Sequence, residues 1–393
     1  MDPGPSLRSV DGELKTVRSC DVLIVGGGPA GSTCAWQLVR AGLDVLVMDK
    51  HIFPRDKVCA GWITPAAIES LELDCAGYAQ ERVMQPIHGF RTGIIGETPV
   101  ETRYPEAASF GILRREFDDY LLQRSQARLR LGEPMRTMVR DGSEWLVNGG
   151  IRTPLVVGAG GHFCPVSRTL GTRLGHSETI VSAQEIEFPL SPDQHSECRV
   201  DSDVVQLYFC ADLKGYGWCF PKGNYLNIGI GREDNHRLAE HLERFCQWLQ
   251  QRGGIPRDLP GKFKGHAYLV YPESRRKLTD DGALVIGDAA GLAYPQSGEG
   301  ILPAIESGLI AAEVIADAAG DYRQCNLEPY IARLTRRFGK RNPRPPSASW
   351  LPQAFRQKLA KRLMASAWFA RHVVIDNWFL HSGQRAMLSR RPL

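Results

Sequence analysis

The sequence has no run of eighteen or more uncharged apolar residues, so no segment reads as a transmembrane helix. Its ten cysteines include no C-x-x-C pair. That spacing argues against a structural zinc site or a disulfide framework and for reduced thiols in the cytoplasm. His51, His88, His162 and His266 lack metal-ligand spacing and read as packed or surface residues. Repeats and long low-complexity segments are absent too. Acids are scarce in one place. From Ile331 to Leu393, Asp376 stands alone against fourteen Lys/Arg, a local +13 within an overall +4. Residues 1–19 lack the apolar core of a secretory signal and read as a flexible tail.

What is present is the composition of a soluble globular chain, 43% hydrophobic and 23% charged, with room for roughly two domains in 393 residues. Asp21–Val25 is a short apolar run followed at once by Gly26-x-Gly28-x-x-Gly31. A helical pattern runs from Ala30 to about Ala41, and a second strand pattern ends in Asp49. Gly26 allows the tight turn, Gly28 lets a pyrophosphate approach the backbone, and Gly31 lets helix and strand pack closely. Asp49 can accept from an unphosphorylated ribose, so the fingerprint suits FAD or NAD. A second stretch is built alike. Leu284–Ile286 reads as a strand, Gly287, Asp288 and Gly291 as a tight turn, and Pro295 and Gly298 punctuate a loop. Gly300 opens a helical pattern to about Ala319. An acid in a glycine turn and a loop aimed at a helix N-terminus suit a large anionic heteroaromatic ligand.

Between these halves, Phe53–Pro65 is a turn-rich loop. Ala66–Leu73 and the stretch from Leu113 read as helices, and Pro134–Val147 and Ile151–Val157 as strands. Residues 180–275 alternate like an antiparallel sheet, interrupted by a helix over Asn235–Gln251. The expected organisation is α/β. A Rossmann-like FAD-binding domain is drawn from 20–75, 105–175 and 276–320. An inserted antiparallel β-sheet substrate domain takes 76–104 and 176–275. A basic C-terminal helical region covers 321–393, broken at Asn342–Pro346.

With these residues placed, the chain resembles FAD-dependent oxidoreductases of the para-hydroxybenzoate-hydroxylase-like fold. Four motifs carry the resemblance: Gly26 to Asp49, Arg114-x-x-Phe117-Asp118, Gly158-Ala-Gly-Gly161, and Gly287-Asp-Ala-Ala-Gly through Pro295 to Gly300 and Ile301. Within that class it is similar to the geranylgeranyl reductase family, through Phe53-Pro-Arg-Asp-Lys-Val-Cys59 and Gly215-Tyr-Gly-Trp-Cys-Phe-Pro-Lys-Gly223 with Asn227-x-Gly229-x-Gly231. The resemblance implies FAD held by Gly26, Gly28, Ala30, Gly31, Asp49, Lys50, Cys59, Ala60, Arg114, Val139, Asp288, Pro295, Gly300 and Ile301. It also implies that Cys59, Tyr216 and Trp218 face the flavin and the substrate cavity. The chain departs from the family pattern at Gly160 (an acid there), Cys164 (serine), Ser167 (arginine) and Trp62 (a small residue).

The activity implied is reduction of carbon–carbon double bonds in a prenyl or other lipid-like substrate. No second GxGxxG is present, so electrons come from transiently bound NADPH or a redox partner protein. Alternatives on the same fold are a flavin-dependent monooxygenase and, less readily, a halogenase, whose G-W-x-W-x-I-P reads Gly215-Tyr-Gly-Trp-Cys-Phe-Pro here. A non-catalytic flavin-binding docking protein is a third. The basic C-terminal region reads as a solvated helical face or as a peripheral membrane contact near Phe355–Leu380. There Trp368, Phe369, Trp378 and Phe379 accompany Lys358, Lys361, Arg362 and Arg371. No nucleic-acid motif accompanies the charge. The expected location is cytoplasmic, with peripheral membrane contact as the variant.

Overall fold

The computed structural model describes residues 18–172, 180–234, 236–341 and 352–388. Most of the tail and the break at Asn342–Pro346 lie outside them. Arg18 and Ser19, expected in the tail, form a short strand beside Ile151 and Arg152.

Val22–Val25 is apolar and buried at every position, the pattern of a strand covered on both faces. It sits in a six-stranded sheet ordered Thr279–Asp280, Ala283–Val285, Leu155–Gly158, Val22–Val25, Val45–Asp49, Arg128–Leu131. All pairs are parallel except the first. The Pro29–Arg40 helix starts on a proline, whose missing amide costs nothing in a first turn. It packs against the Ile301–Asp317 helix, and Gly308 permits the contact: a Cβ there would lie 2.6 Å from the Ala30 carbonyl oxygen.

The stretch expected as two strands, 134–147 and 151–157, is four. Met138–Asp141 and Glu144–Val147 form a hairpin turning through Gly142, at φ +64°. Pro154, which has no ladder donor, divides Ile151–Thr153 from Leu155–Gly158. The first piece joins a small outer sheet and the second the central one.

The other large sheet has seven strands: Lys264–Leu269, Ile180–Pro189, Tyr225–Arg232, Gly215–Lys222, Val204–Phe209, Gly89–Ile94 and Val100–Arg103. It is antiparallel except where Val204–Phe209 meets Gly89–Ile94 in parallel. Alternate residues face opposite sides. One side, with Phe188, Tyr208, Ile228 and Ile230, is covered by Leu242, Phe245 and Leu249 of the Leu238–Gln251 helix. The other carries Ala183, Leu207, Trp218 and Phe220 and packs with Phe90, Val374, Ile375 and Phe379. The C-terminal turns at 367–379 therefore cover the inner face of this sheet.

That packing takes Phe379 and Trp378 out of the expected membrane face. Phe379 is buried and stacks on Trp62, centroids 5.6 Å apart, and Trp378 meets Phe209 edge-on. Part of the basic charge is also spent inside the molecule. Arg333 pairs with Glu313 and Asp317, and Arg337 with the fully buried Glu306. The acids lie on the Ile301–Asp317 helix and the arginines on Pro329–Phe338.

Candidate active site

The first glycine turn is bare backbone by necessity. A Cβ on Gly26 would lie 2.3 Å from the Ala159 oxygen, and one on Gly31 would lie 1.9 Å from the Gly26 oxygen. Asp49 holds this turn from the next strand end: its Oδ2 accepts from the Gly27 amide and its Oδ1 from the His51 amide, both at 2.8 Å. Gly28 has open space above it, bounded by the Arg55 guanidinium 3.6 Å from where its Cβ would be. Arg55 pairs with Asp118 at 3.1 Å. Asp118 in turn takes Arg114 through two bonds of 2.8 and 2.9 Å. The Arg55 Nη1 is buried with no hydrogen-bond partner among the described residues. An uncommitted guanidinium donor over a bare turn at a helix N-terminus matches the diphosphate of a dinucleotide.

The second half converges on the same place. Gly287 and Gly291 take φ of +60° and +67°, where side chains are strained. The Asp288 carboxylate lies over the start of the Ile301–Asp317 helix, 3.2 Å from a Cβ built on Gly300. Burial opposes its ionisation, but His266, Lys57 and Arg114 hold it below the ordinary carboxylate value. His266 Nε2 is 3.8 Å from Asp288, and Lys57 Nζ is 3.1 Å from that same nitrogen. Burial, and then Arg114, pull the Lys57 ammonium down. His266, expected as an ordinary packed or surface residue, is thus part of a charged cluster. The α-helix N-terminus at Gly300 offers amides to developing negative charge.

The loop with Cys59 is clamped to the inner face of the seven-stranded sheet. The Cys59 amide donates to Glu185 Oε1. The buried Lys222 donates to the carbonyls of Ala60 and Ile112 at 2.8 and 3.1 Å and pairs with Glu187. Asn227 Nδ2 donates to Glu187 Oε2 at 3.1 Å, and Asn227 Oδ1 accepts from Trp218 Nε1 at 2.6 Å. Burial lowers the Arg114 pKa, but Asp118 and Cys59 beside it hold it above the ordinary guanidinium value. Tyr216 and Trp218 share a strand face, their centroids 6.0 Å apart, and the Tyr216 hydroxyl donates to the Ser297 carbonyl. Pro295 lines a cleft of about 290 Å³ with Tyr294, Gln296, Trp378 and His381.

The structure thus gathers Gly26, Gly28, Ala30, Gly31 and Asp49 at one end, Asp288, Gly300 and Ile301 at the other, and Cys59, Ala60 and Arg114 beside them. It does not gather Lys50, which is exposed, or Val139. Val139 is 54% exposed in the outer sheet opposite Leu146. The segment that does cross the Asp49 strand end is Gly132–Glu133, through amides donated to the carbonyls of His51 and Asp49. Sequence reasoning missed Arg55, Glu185 and Lys222. Arg55 and Lys222 stood inside quoted motifs, and the acids of Gln184-Glu-Ile-Glu187 alternate with the apolar Ile186 and Phe188, which puts both acids on one face without fixing on which side the core lies.

Known proteins fit this arrangement. A family profile described as FAD dependent oxidoreductase matches residues 21–104. A menaquinone reductase of Mycobacterium tuberculosis is 33% identical over 327 residues, 76% of each chain. The chain belongs to the geranylgeranyl reductase-like family of FAD-dependent oxidoreductases. Another relative of this flavoenzyme is a digeranylgeranylglycerophospholipid reductase of Methanocaldococcus jannaschii, 29% identical over 331 residues, 80% of this chain and 81% of that one. Among solved structures, a geranylgeranyl bacteriochlorophyll reductase-like protein of Thermoplasma acidophilum has a TM-score of 0.71 at 23% identity, covering 88% of each chain. A halogenase solved with FAD has a TM-score of 0.66 at 15% identity, covering 81% of this chain and 74% of that one. At those identities the likeness is one of fold. The cofactor of this flavoenzyme is FAD, and the bare Gly26–Gly31 turn with the uncommitted Arg55 donor fits its diphosphate.

Proposed function

We propose that the flavoenzyme reduces carbon–carbon double bonds of a prenyl or similar lipid-like substrate. The observation that carries this reading is the wall beside the Cys59 loop. Phe209, Tyr216, Trp218 and Phe220 line one sheet face, and Trp62 and Phe379 stack across from them. An apolar, aromatic wall suits a hydrocarbon chain. Bound FAD supplies hydride once it has taken two electrons, from NADPH or a redox partner protein. The residues around it orient the chain and exclude water. The names of the mycobacterial and archaeal relatives support a prenylated substrate.

The test is anaerobic. The FAD of the holoprotein is reduced with dithionite, then geranylgeranyl diphosphate or a menaquinone in detergent is added. Flavin reoxidation is expected, with a product two mass units heavier that survives air oxidation of any quinol. No saturated product from either lipid sinks the reading. Oxygen consumption coupled to an aromatic substrate would favour the monooxygenase alternative.

For the partner surface, the proposed contact is an anionic bilayer face. Phe355, Leu359 and Leu363 recur every fourth residue on the Gln353–Met364 helix and are 53%, 42% and 37% exposed. Lys358 and Arg362 flank that stripe by helical position, and Trp368 beyond it is 65% exposed. Vesicles with anionic lipid should pull down the wild type and release a Phe355→Glu/Leu359→Glu variant. Equal sedimentation of both would remove the contact.

A further inference from the structure

We propose that Glu185 delivers the proton in this double-bond reduction, an inference that rests on the reading just given. Glu185 lies in the Ile180–Pro189 strand, opposite Gly229, which is itself opposite Trp218. Directly opposed residues share a sheet face, so Glu185 projects on the same inner side as the aromatic wall. Gly229 leaves room for the Trp218 indole, which would stand 2.2 Å from any Cβ there. The side chain is 5% exposed. Its Oε1 takes the Cys59 amide, and its Oε2 is buried with no hydrogen-bond partner among the described residues. A carboxyl held by one oxygen beside the Cys59 loop, with the other oxygen uncommitted, is placed to donate.

The other polar groups of this wall are committed, except the Trp62 indole, a buried N–H that is no acid near neutral pH. The Tyr216 hydroxyl donates to Ser297, the Trp218 indole to Asn227, and Lys222 to two carbonyls and Glu187. Glu299, also buried, accepts from the Leu302 amide through Oε1, and its Oε2 lies 3.7 Å from His381 without a hydrogen bond among the described residues; it stands at the start of the Ile301–Asp317 helix and not on the sheet face of the aromatic wall.

The burial of Glu185 supports a protonated state near neutral pH. Burial raises its pKa to about 7, against a lowering by Lys222, the Cys59 amide and Asn227 and a further rise from Glu187. Asn227 points its amide at Glu187, and Lys264, the neighbour on the next strand, is paired outward to Asp56. A carboxyl with a pKa near the working pH is matched to acid catalysis. One alkene carbon takes hydride from two-electron-reduced FAD, and the other takes the proton of Glu185. The alkene becomes a saturated CH–CH unit, FAD is left oxidised, and the Glu185 carboxylate regains its proton from water.

Two readouts test this. In the infrared spectrum of the holoprotein, a protonated carboxyl band should titrate away near pH 7 in the wild type and be missing in Glu185→Gln. That variant keeps an acceptor for the Cys59 amide. If the band is unchanged by the substitution, Glu185 is not the protonated group and the proposal falls. In the anaerobic assay, with FAD content and dithionite reduction matched, Glu185→Gln should slow lipid-driven reoxidation by roughly 100-fold or more, the scale of lost general-acid catalysis. Glu185→Asp should recover part of the rate. A Glu185→Gln rate within threefold of an active wild type overturns this proposal alone. A wild type inert toward both lipids overturns the underlying function instead.

Discussion

The Lys222 ammonium, fully buried in the seven-stranded sheet, lies 2.8 Å from the carbonyl oxygen of Ala60. This contact ties the loop of one family motif to the strand of another, and Glu187 on the neighbouring side supplies the countercharge. Removing one member of a buried ion pair leaves an uncompensated charge. Lys222→Met should therefore lower the unfolding free energy by about 3–5 kcal/mol. A double variant, Lys222→Met/Glu187→Leu, should recover most of that. Denaturant titration of the two variants checks the prediction, and equal losses in both would contradict it.

Arg55 should matter more to FAD than to the fold, since Asp118 keeps its two bonds to Arg114 when Arg55 is replaced. Its Nη1 is uncommitted, so Arg55→Gln removes a charge-assisted bond to the diphosphate. Such a bond contributes about 1.5–3 kcal/mol, which corresponds to a roughly 10- to 100-fold weaker FAD affinity. Quenching of flavin fluorescence on titration into apoprotein reads this directly. Unchanged affinity would place the diphosphate elsewhere.

Gly229 is required by the indole of Trp218 rather than by its own backbone. Gly229→Ala forces the ring off its bond to Asn227 and should cost about 1–3 kcal/mol by overpacking. Tryptophan emission should shift with it, and a variant with native stability and emission would show that the wall can yield.

Stability should fall on both sides of a mid-range pH. Burial raises Glu299 from 4.5 to about 8 and Glu185 from 4.5 to about 7. Each favours the folded state fully below about 4.5, and that contribution is lost as pH rises through the folded value. Burial lowers His162 and His381 from 6.5 to about 4. Their contribution is present above 6.5 and lost as pH falls through 4. Tm measured from pH 4 to 9 should show both limbs. Glu299→Gln should flatten the alkaline limb, and an unchanged slope would remove Glu299 as its source.

Much of the cofactor site was legible because glycine turns and strand-end acids are local devices. Gly26, Gly28, Gly31 and Asp49 lie within one βαβ unit, and Asp288, Gly300 and Ile301 within one strand–loop–helix. Local backbone geometry explains why those residue types stand at those spacings. Pro154 shows where local reading slipped: one proline moved two halves of an apolar run into different sheets. Val139 slipped for a related reason, since its hairpin belongs to the outer sheet and not to the strand end that carries Asp49.

The sequence by itself determined the two glycine turns, the apolar strand that precedes each, and the alternation that makes a two-faced sheet, since all three follow from contacts between near neighbours. Only the tertiary structure decided which long-range partners those elements meet. Glu185 reaches Cys59 across 126 positions, Lys222 reaches Ala60 across 162, and Phe379 closes over Trp62 from the far end of the chain. Those pairings depend on sheet register and on which buried charges find one another, and neither is encoded in any short window. The stretch 286–319 brings Asp288 over Gly300, and the buried Glu185 and Lys222 clamp the Cys59–Ala60 loop to the sheet.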